Sequence, residues 1–286
     1  MNNRFLYLSD LDHSLFQSLK SDDRGNTPMT VNQDGEPHGF AREDQKDLFE
    51  MMKRTGVIVP VTARSHQQME RVSGWQTGQD YDLAITDIGA TLLMRDNQGD
   101  GQWHAIDKWH EQYLDEISLR TPTLIRDYQM AKDTLLPEAG LSDSVQVDLI
   151  ALGKRRLPLY FAFAVKGDNA GDKVEYILER FAKPIAKLSG IYHLHVTESL
   201  ICLWPDFISK GQAVERFKEV LKTGLDDERL DRALTYLDLS DRTIITVGDN
   251  VTDVEFMKHG HFAMAPKNSD IITHMSDVAT KLMTNC

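Results

Sequence analysis

The sequence has very little cysteine and no long apolar run, and each of these features argues against a class of protein. Among its 286 residues are only two cysteines, Cys202 and Cys286, too few for a disulfide framework. No apolar stretch approaches membrane-spanning length, and the start Met-Asn-Asn-Arg lacks the pattern of a secretory signal peptide. We therefore expect a cytoplasmic protein without a membrane partner.

Positive charge is also scarce, because 32 Lys and Arg face 44 Asp and Glu, giving a net charge of −12 at pH 7 and a pI near 5.3. Nucleic acids and anionic membranes are polyanions, so this balance argues against both as partners. A small molecule is the expected partner, and an anionic one needs a local cation or a metal ion to draw it in. With 41% apolar residues, the chain can build the core of one large or two modest domains. The pattern does not indicate an oligomeric state.

One stretch organises the chain: Phe5 to Phe16, with the sequence F-L-Y-L-S-D-L-D-H-S-L-F. Its first apolar residues predict a buried strand, and Asp10 and Asp12 follow at the carboxyl end of that strand. Residues two apart in an extended segment point to the same side, and two carboxylates so close raise each other's pKa unless a cation joins them. Mg²⁺ is the natural cation for such a pair. Taken alone, Asp-Leu-Asp is better explained by a simple strand-ending turn.

Strands and helices alternate along the first third of the chain. Gln17 to Gly39 is polar and rich in turn residues, which predicts a loop. A helix is expected from about Glu43 to Arg54, a strand from Val57 to Val61, and a further strand over Leu83 to Thr86 that continues into a hairpin. Such alternation predicts a parallel sheet.

The pattern changes from about Glu111, where a long helix, an aromatic strand over Leu157 to Val165, another helix and further strands follow. We interpret this part as an inserted α/β cap. The predicted domains are a catalytic core formed by residues 1–111 and 196–286, and a cap formed by residues 112–195. Core-type alternation then resumes with a helix that begins near Lys210.

Polar residues follow several of the predicted strands or begin the next helix, namely Thr62, Lys210 and Gly248-Asp249-Asn250 with Asp253. Each alone is better explained by a turn, a solvated lysine or a charge at a helix N-terminus. One parallel sheet, however, would bring all of them to the same edge as Asp10 and Asp12. That edge would offer carboxylates for Mg²⁺, donors for phosphoryl oxygens, one ammonium, and an aspartate able to attack phosphorus.

Together these residues resemble the haloacid dehalogenase-like hydrolases. Asp10 to Ser14 matches the D-x-D-x-[TS] motif, and the second, third and fourth motifs match at Thr62, Lys210, and Gly248-Asp249 with Asp253. The resemblance implies a Rossmann-like parallel-sheet core with an inserted smaller α/β cap. Two departures from the pattern are His13, where glycine is commoner, and Thr252, where asparagine often precedes the last aspartate.

The resemblance also implies roles for these residues. Asp10 would be the nucleophile, and Asp12 the acid that protonates the leaving group and then the base that activates water. Asp10, the backbone carbonyl of Asp12 and Asp249 would hold Mg²⁺, while Asp253 would orient Lys210 or a metal-bound water. Thr62, with Ala63 beside it, and Lys210 would bind the phosphoryl group.

Within this family, the chain is most similar to the large-cap sugar phosphatases, and above all to sucrose-phosphatase-like proteins. Ser9 to Ser14, Gln102-Trp103, Lys108-Trp109 and Trp204-Pro205 carry that closer resemblance. It implies a phosphatase acting on a sugar phosphate similar to sucrose 6-phosphate, although the cap strand shows no clear match to the lysine that sugar-specific members present. Nearby candidates for substrate binding are Lys154, Arg155, Arg156 and Tyr160, which fit an exposed basic turn before a strand equally well.

Two other functions stay open. A phosphomutase would use the same groups with a second sugar hydroxyl in place of water, and a catalytically silent binding or regulatory protein would keep only the fold. Elsewhere the sequence favours packing over chemistry: Trp103 and Trp109 are expected in a core, His193 and His195 within the cap, and Cys202 as a small buried side chain.

Overall fold

The computed structural model describes residues 4–19, 21, 23–152, 157–167, 170–196, 199–239 and 241–284. It divides the chain into two compact units: a core unit formed by Met1–Trp109 and Ser209–Cys286, and an inserted unit formed by His110–Ile208. The second division falls after residue 208, whereas the sequence placed it after residue 195. The difference arises because the strand Leu200–Pro205 pairs with other strands of the inserted unit.

Eight strands and three helices precede the long helix of the inserted unit within the described residues. The strands are β1 (Phe5–Ser9), β2 (Gln17–Ser18), β3 (Thr27–Val31), β4 (Pro37–Ala41), β5 (Gly56–Pro60), β6 (Tyr81–Thr86), β7 (Thr91–Asp96) and β8 (Trp103–Ala105). The helices are α1 (Glu43–Thr55), α2 (His66–Glu70) and α3 (Asp107–Glu111). The strand and helix predictions for this part are therefore confirmed, except over Gln17 to Gly39.

The inserted unit continues with two long helical segments and four strands. In chain order these are α4 (Leu114–Met130), α5 (Leu136–Glu138), β9 (Val145–Leu152), β10 (Leu157–Val165), α6 (Ala170–Ile177), α7 (Lys183–Ser189), β11 (Tyr192–Val196) and β12 (Leu200–Pro205). Short π-helical turns, Ala131–Leu135 and Leu178–Ala182, join α4 to α5 and α6 to α7. The core unit then resumes with α8 (Lys210–Thr223), α9 (Glu228–Leu237), β13 (Thr243–Val247), α10 (Val254–Met257), β14 (Phe262–Met264) and α11 (Asp270–Thr284).

A parallel sheet with the order β14-β13-β1-β5 forms the centre of the core unit. β1 is a buried inner strand, with Leu6 opposite Ile244 of β13 on one side and Val57 of β5 on the other. Its residues are apolar on both faces because a parallel sheet is covered on both sides. Beyond β5, a bridge between Val61 and Ile85 connects to the antiparallel sheet β6-β7-β8. The predicted parallel-sheet α/β core is confirmed.

The prediction of a loop over Gln17 to Gly39 is wrong, because this segment forms most of a small antiparallel sheet with the order β2-β4-β3. Its polar composition concealed the strands. Of the described residues in this segment, Met29 alone belongs to the hydrophobic cluster of the core unit. Two register irregularities in the β3–β4 pairing further weaken the alternating pattern by which a strand is identified.

The strands of the inserted unit form an antiparallel sheet with the order β11-β12-β10-β9. Alternate residues of its strands, such as Phe161 and Leu203, form one apolar cluster with Leu124 of α4 and Ile177 of α6. One face of the sheet is therefore covered by helices. His193 and His195 lie on β11 opposite Trp204 and Cys202, and Cys202 is buried as expected. No described helix combines the length and the hydropathy that crossing a membrane requires.

Candidate active site

The carboxyl ends of three neighbouring parallel strands bring the predicted residues together. Asp10 follows β1, and its backbone N–H donates to the carbonyl of Val247 at the end of β13, 2.8 Å away. On the other side, the N–H of Val61 donates to the carbonyl of Ser9 at 2.8 Å. Because β1 lies between β13 and β5, the segments that carry Asp249 and Thr62 flank Asp10. The edge therefore gathers residues from distant parts of the sequence.

Lys210 is the first residue of α8, and Ser209 caps this helix by accepting a hydrogen bond from the N–H of Gln212. Its ammonium donates to Oδ1 of Asp10 and to Oδ1 of Asp253, each at 2.7 Å. All three side chains are largely buried, with exposed fractions of 12%, 9% and 1%. Lys210 is thus fixed between two carboxylates. It binds Oδ1 of Asp10, so Oδ2 of Asp10 does not bind Lys210.

Gly89 allows the start of α8 to come this close to the sheet edge. A Cβ at Gly89 would lie 2.5 Å from Cβ of Ala213 and 2.7 Å from the carbonyl oxygen of Ser209. Its φ of +113° also lies in the range that favours glycine. The turn that ends β6 and the residue that precedes Lys210 therefore pack without space for any side chain at Gly89.

Asp253 is the structural support of Lys210. Its Oδ2 accepts hydrogen bonds from the backbone N–H groups of Asp249 and Asn250, at 3.2 and 3.1 Å. A Cβ at Gly248 would lie 2.7 Å from Cβ of Asp253, so this turn needs glycine for the close approach. Both oxygens of Asp253 are thereby occupied, an arrangement that suits the orientation of Lys210 better than direct coordination of a metal.

Ser14 is a site residue to which the sequence assigned no role. It is buried, and its hydroxyl donates to Oδ1 of Asp249 at 3.2 Å. Gln45 of α1 in turn donates to the backbone carbonyls of His13 and Ser14, each at 3.3 Å. Its position in the D-x-D-x-[TS] motif was the available signal, and Ser14 connects that motif to the carboxylate of the fourth one.

Arg64 is the second residue that sequence reasoning missed. Its Nε and Nη2 donate to Oδ2 and Oδ1 of Asp12 at 2.8 and 2.7 Å, and its guanidinium carbon lies 5.1 Å from the centre of the Phe16 ring. Arg64 stands two residues after Thr62, and a basic side chain directly beyond the second motif was the only sign of it in the sequence. Asp12 is therefore paired with a cation of its own, separate from Lys210.

The buried charges change the pKa values of the site. Burial, together with the neighbouring carboxylates Asp253, Asp12 and Asp249, raises the pKa of Asp10 well above its usual range although Lys210 opposes this. Burial and the charge of Asp253 raise the pKa of Asp249 to about 6. Burial also acts to raise the pKa of Asp12, but the charge and hydrogen bonds of Arg64 outweigh it and hold that pKa below its usual value. The first two carboxylates are thus short of positive charge, and Asp12 is not.

A divalent cation fits this shortage. One carboxylate oxygen each from Asp10, Asp249 and Asp253 lies within 4.8 Å of the other two. Lys210 pairs with Asp10 and Asp253, and its one positive charge is fewer by two than the negative charges of the three carboxylates when all are ionised. Hard oxygen ligands of this kind suit Mg²⁺. The donor set therefore matches the predicted metal, with Asp10 and Asp249 as the carboxylates that have oxygens to spare.

The remaining predicted residues occupy different places. Thr62 is buried beside β5, where its hydroxyl oxygen accepts a hydrogen bond from the N–H of Arg64 at 3.1 Å, and Ala63 is partly exposed. Tyr160 is buried in the inserted unit, with its ring 3.6 Å from that of Trp204. The basic candidates Lys154, Arg155 and Arg156 lie outside the described residues.

No protein-family model and no curated protein matches the chain. Among solved structures, the IMP-nucleotidase of Plasmodium falciparum matches with a TM-score of 0.52 at 12% identity, covering 93% of this chain and 60% of that one. Its IMP-bound D172N mutant matches with a TM-score of 0.51 at 11% identity, covering 92% and 63%. The sucrose-phosphatase of Synechocystis sp. PCC6803, in complex with sucrose and phosphate, matches with a TM-score of 0.47 at 13% identity, covering 96% and 88%.

At such low identities the likeness to the two IMP-nucleotidase structures shows a shared fold. The fold expected from the sequence is thereby confirmed. The four ordered motifs also meet at one edge of its parallel sheet, around Asp10, Thr62, Lys210 and Asp249. Fold and motif positions therefore both agree with the resemblance to the haloacid dehalogenase-like hydrolases.

Proposed function

We propose that this protein is a Mg²⁺-dependent phosphatase that hydrolyses a small phosphomonoester through a phosphoryl group carried on Asp10. One observation supports this above all: a buried lysine holds one oxygen of a buried aspartate at the sheet edge, beside the carboxylates of a cation site. The other oxygen of Asp10 can then act as nucleophile. Asp10, Asp249 and the backbone carbonyl of Asp12 would hold Mg²⁺, which supplies positive charge for the phosphoryl oxygens.

The first step would transfer the phosphoryl group to Asp10. Oδ2 of Asp10 forms a bond to phosphorus while the bond from phosphorus to the ester oxygen breaks, and that oxygen keeps the electron pair and takes a proton from Asp12. Lys210 compensates the charge that develops on the phosphoryl oxygens, and the Thr62 hydroxyl can donate to one of them. The leaving group departs as an alcohol.

The second step would release phosphate. Asp12 takes a proton from a water molecule, whose oxygen attacks phosphorus while the bond to Oδ2 of Asp10 breaks. This step restores the Asp10 carboxylate and returns to Asp12 the proton that it lost. Asp253 has no bond-making part in either step, and its role is to keep Lys210 in place.

The substrate class is a narrower proposal. A sugar phosphate is favoured by the sequence resemblance around Ser9 to Ser14 and the Trp204-Pro205 pair, whereas the shared fold with an IMP-nucleotidase requires nucleotides to be tested as well. The inserted unit, with Arg156 and Tyr160, stays the predicted source of selectivity. A cytoplasmic location also stays a prediction.

A turnover screen tests the proposal. Phosphate release is measured with sugar phosphates, nucleoside monophosphates and p-nitrophenyl phosphate, in Mg²⁺, in excess chelator and in Ca²⁺, with Asp10→Asn as the inactive control. We expect activity in Mg²⁺, none in chelator, and suppression by Ca²⁺, whose longer ligand distances would misplace the attacking carboxylate. Full activity in chelator would contradict the metal assignment. Conversion of a sugar phosphate to its isomer without release of phosphate would identify the phosphomutase alternative.

A further inference from the structure

Arg64 is held at several points, which makes its orientation unusually well defined for an arginine. Its backbone N–H donates to the Thr62 hydroxyl at 3.1 Å, and its carbonyl accepts from the N–H of Asp87 at 2.8 Å. The guanidinium lies over the Phe16 ring, and the Arg64 side chain is only 16% exposed. The backbone and the side chain of Arg64 are thus both held by contacts within the protein.

This fixed guanidinium engages both oxygens of Asp12, at 2.7 and 2.8 Å. A two-pronged pair of this kind sets the plane of the carboxylate as well as its position. Each carboxylate oxygen has two lone-pair directions, so one remains on each oxygen of Asp12 after Arg64 has bound. Arg64 therefore decides the direction from which Asp12 can give or take a proton.

We propose that Arg64 is the positioning residue for the proton transfers of Asp12, holding its carboxylate plane so that one of the two remaining lone-pair directions serves the leaving oxygen and then the attacking water. This inference rests on the proposed function. In each turnover the proton passes from Asp12 to the leaving oxygen and returns from water, while Arg64 keeps all its own protons. Arg64 thus acts only through Asp12.

The leaving group of the substrate separates this role from a structural one. An alkoxide leaving group needs a proton as it departs, whereas p-nitrophenolate is stable without one. In the step that transfers the phosphoryl group to Asp10, a misplaced Asp12 therefore slows an alkyl ester far more than an aryl ester. The ratio kcat/KM reports that step. It is measured for p-nitrophenyl phosphate and for glucose 6-phosphate, or whichever sugar phosphate the wild type turns over fastest.

Arg95→Ala is a matched control, because Arg95 of β7 is also 16% exposed, donates through Nε and Nη2 to the buried Asp82, and lies over the Trp103 ring. It removes an equivalent ion pair away from Asp12. We expect Arg64→Ala to lower kcat/KM for the sugar phosphate roughly 100-fold, with a loss on the aryl ester roughly tenfold smaller or less. Arg95→Ala should leave the ratio of the two kcat/KM values unchanged.

A rescue experiment tests the geometry directly. Guanidinium chloride at low, non-denaturing concentration should restore part of the sugar-phosphate activity of Arg64→Ala, whereas ammonium chloride at equal ionic strength should not. Arg64→Lys should also stay impaired, because an ammonium cannot make the two-pronged pair. Thermal unfolding midpoints show which variants are folded at the assay temperature. The kcat/KM values of all variants are compared at that temperature.

Several results would overturn the inference. An equal loss of kcat/KM on both esters in Arg64→Ala would indicate a structural role. A sugar-phosphate reaction that is unchanged or faster in Arg64→Ala would show that Arg64 does not position Asp12. Full activity of Arg64→Lys would show that a positive charge alone suffices. A wild type inactive on every ester overturns the proposed function and this inference with it. An active wild type whose Arg64 variants give any of the first three results overturns the inference alone.

Discussion

Asp249→Asn should make the metal-free protein more stable at neutral and alkaline pH. The pKa of Asp249 is raised to about 6 because the carboxylate is buried beside Asp253. An asparagine keeps the oxygen that accepts the Ser14 hydrogen bond and removes the charge. The variant therefore isolates the electrostatic cost that a bound cation would otherwise relieve.

The size of this effect follows from the pKa difference between the folded and unfolded states. From an unfolded value near 3.9 to a folded value of about 6, at about 1.4 kcal/mol per pKa unit, the cost of ionising Asp249 is at most about 3 kcal/mol. Solvent reaches part of this side chain and screens the interaction, so we expect a gain of about 1–2 kcal/mol in the free energy of unfolding at pH 8.

The sign of the pH dependence is fixed by linkage. A carboxyl whose folded pKa is raised binds its proton more tightly in the folded state, so the penalty is fully present above pH 6. It decreases as the pH falls through the folded pKa and vanishes below the unfolded one, near pH 3.9. The advantage of Asp249→Asn should therefore shrink between pH 7 and pH 4.

Denaturant unfolding in excess chelator at several pH values measures the difference in free energy of unfolding between Asp249→Asn and the wild type. Asp47→Asn, on the exposed face of α1, is the control and should stay within about 0.5 kcal/mol of the wild type. Adding Mg²⁺ at about 100 times its Kd should stabilise the wild type by about 2.7 kcal/mol, and the variant less, which reverses their order. A variant that is less stable than the wild type in chelator at pH 8, or a gain that does not depend on pH, would refute this account of the site.

Two further substitutions test the support of Lys210. Lys210→Ala should lower kcat by roughly 100-fold or more, by analogy with the loss of an oxyanion donor, which costs about 2.7–4 kcal/mol. As a control, Lys222→Ala on the exposed end of the same helix should leave kcat unchanged. Similar rates for the two variants would show that Lys210 takes no part in the chemistry. Gly89→Ala should lower the free energy of unfolding by about 1–3 kcal/mol more than Gly35→Ala does. Both glycines have positive φ, but only at Gly89 would an added Cβ have neighbours within 3 Å. Equal losses would show that backbone conformation alone explains the cost.

The parallel-sheet rule made much of the site predictable from the sequence. Asp10, Lys210 and Asp249 are far apart in the chain, yet each follows an apolar strand or opens a helix, and such points meet at one sheet edge. What such a rule cannot supply is the direction of a side chain in a loop. The pairing of Arg64 with Asp12 depends on the path of the chain after β5, which no local pattern records.

The errors in the fold have a similar origin. β2, β3 and β4 are short, and of their residues only Met29 and Ala41 belong to the hydrophobic cluster of the core unit. The predicted division after residue 195 separates β12 from its partners because strand pairing is a non-local property: β10 and β11 are what place β12 in the inserted unit. Hydrophobic periodicity identifies elements, but it does not identify their partners.

The most direct test of the central proposal is to find the phosphoryl group on Asp10. Wild-type protein in Mg²⁺ is mixed with p-nitrophenyl phosphate, quenched in acid during turnover, digested and analysed by mass spectrometry, with Asp10→Asn treated in the same way. We expect one added phosphoryl group on the peptide that contains Asp10, sensitive to hydroxylamine and absent from the variant. A phosphoryl group on any other residue, or turnover by Asp10→Asn, would contradict it.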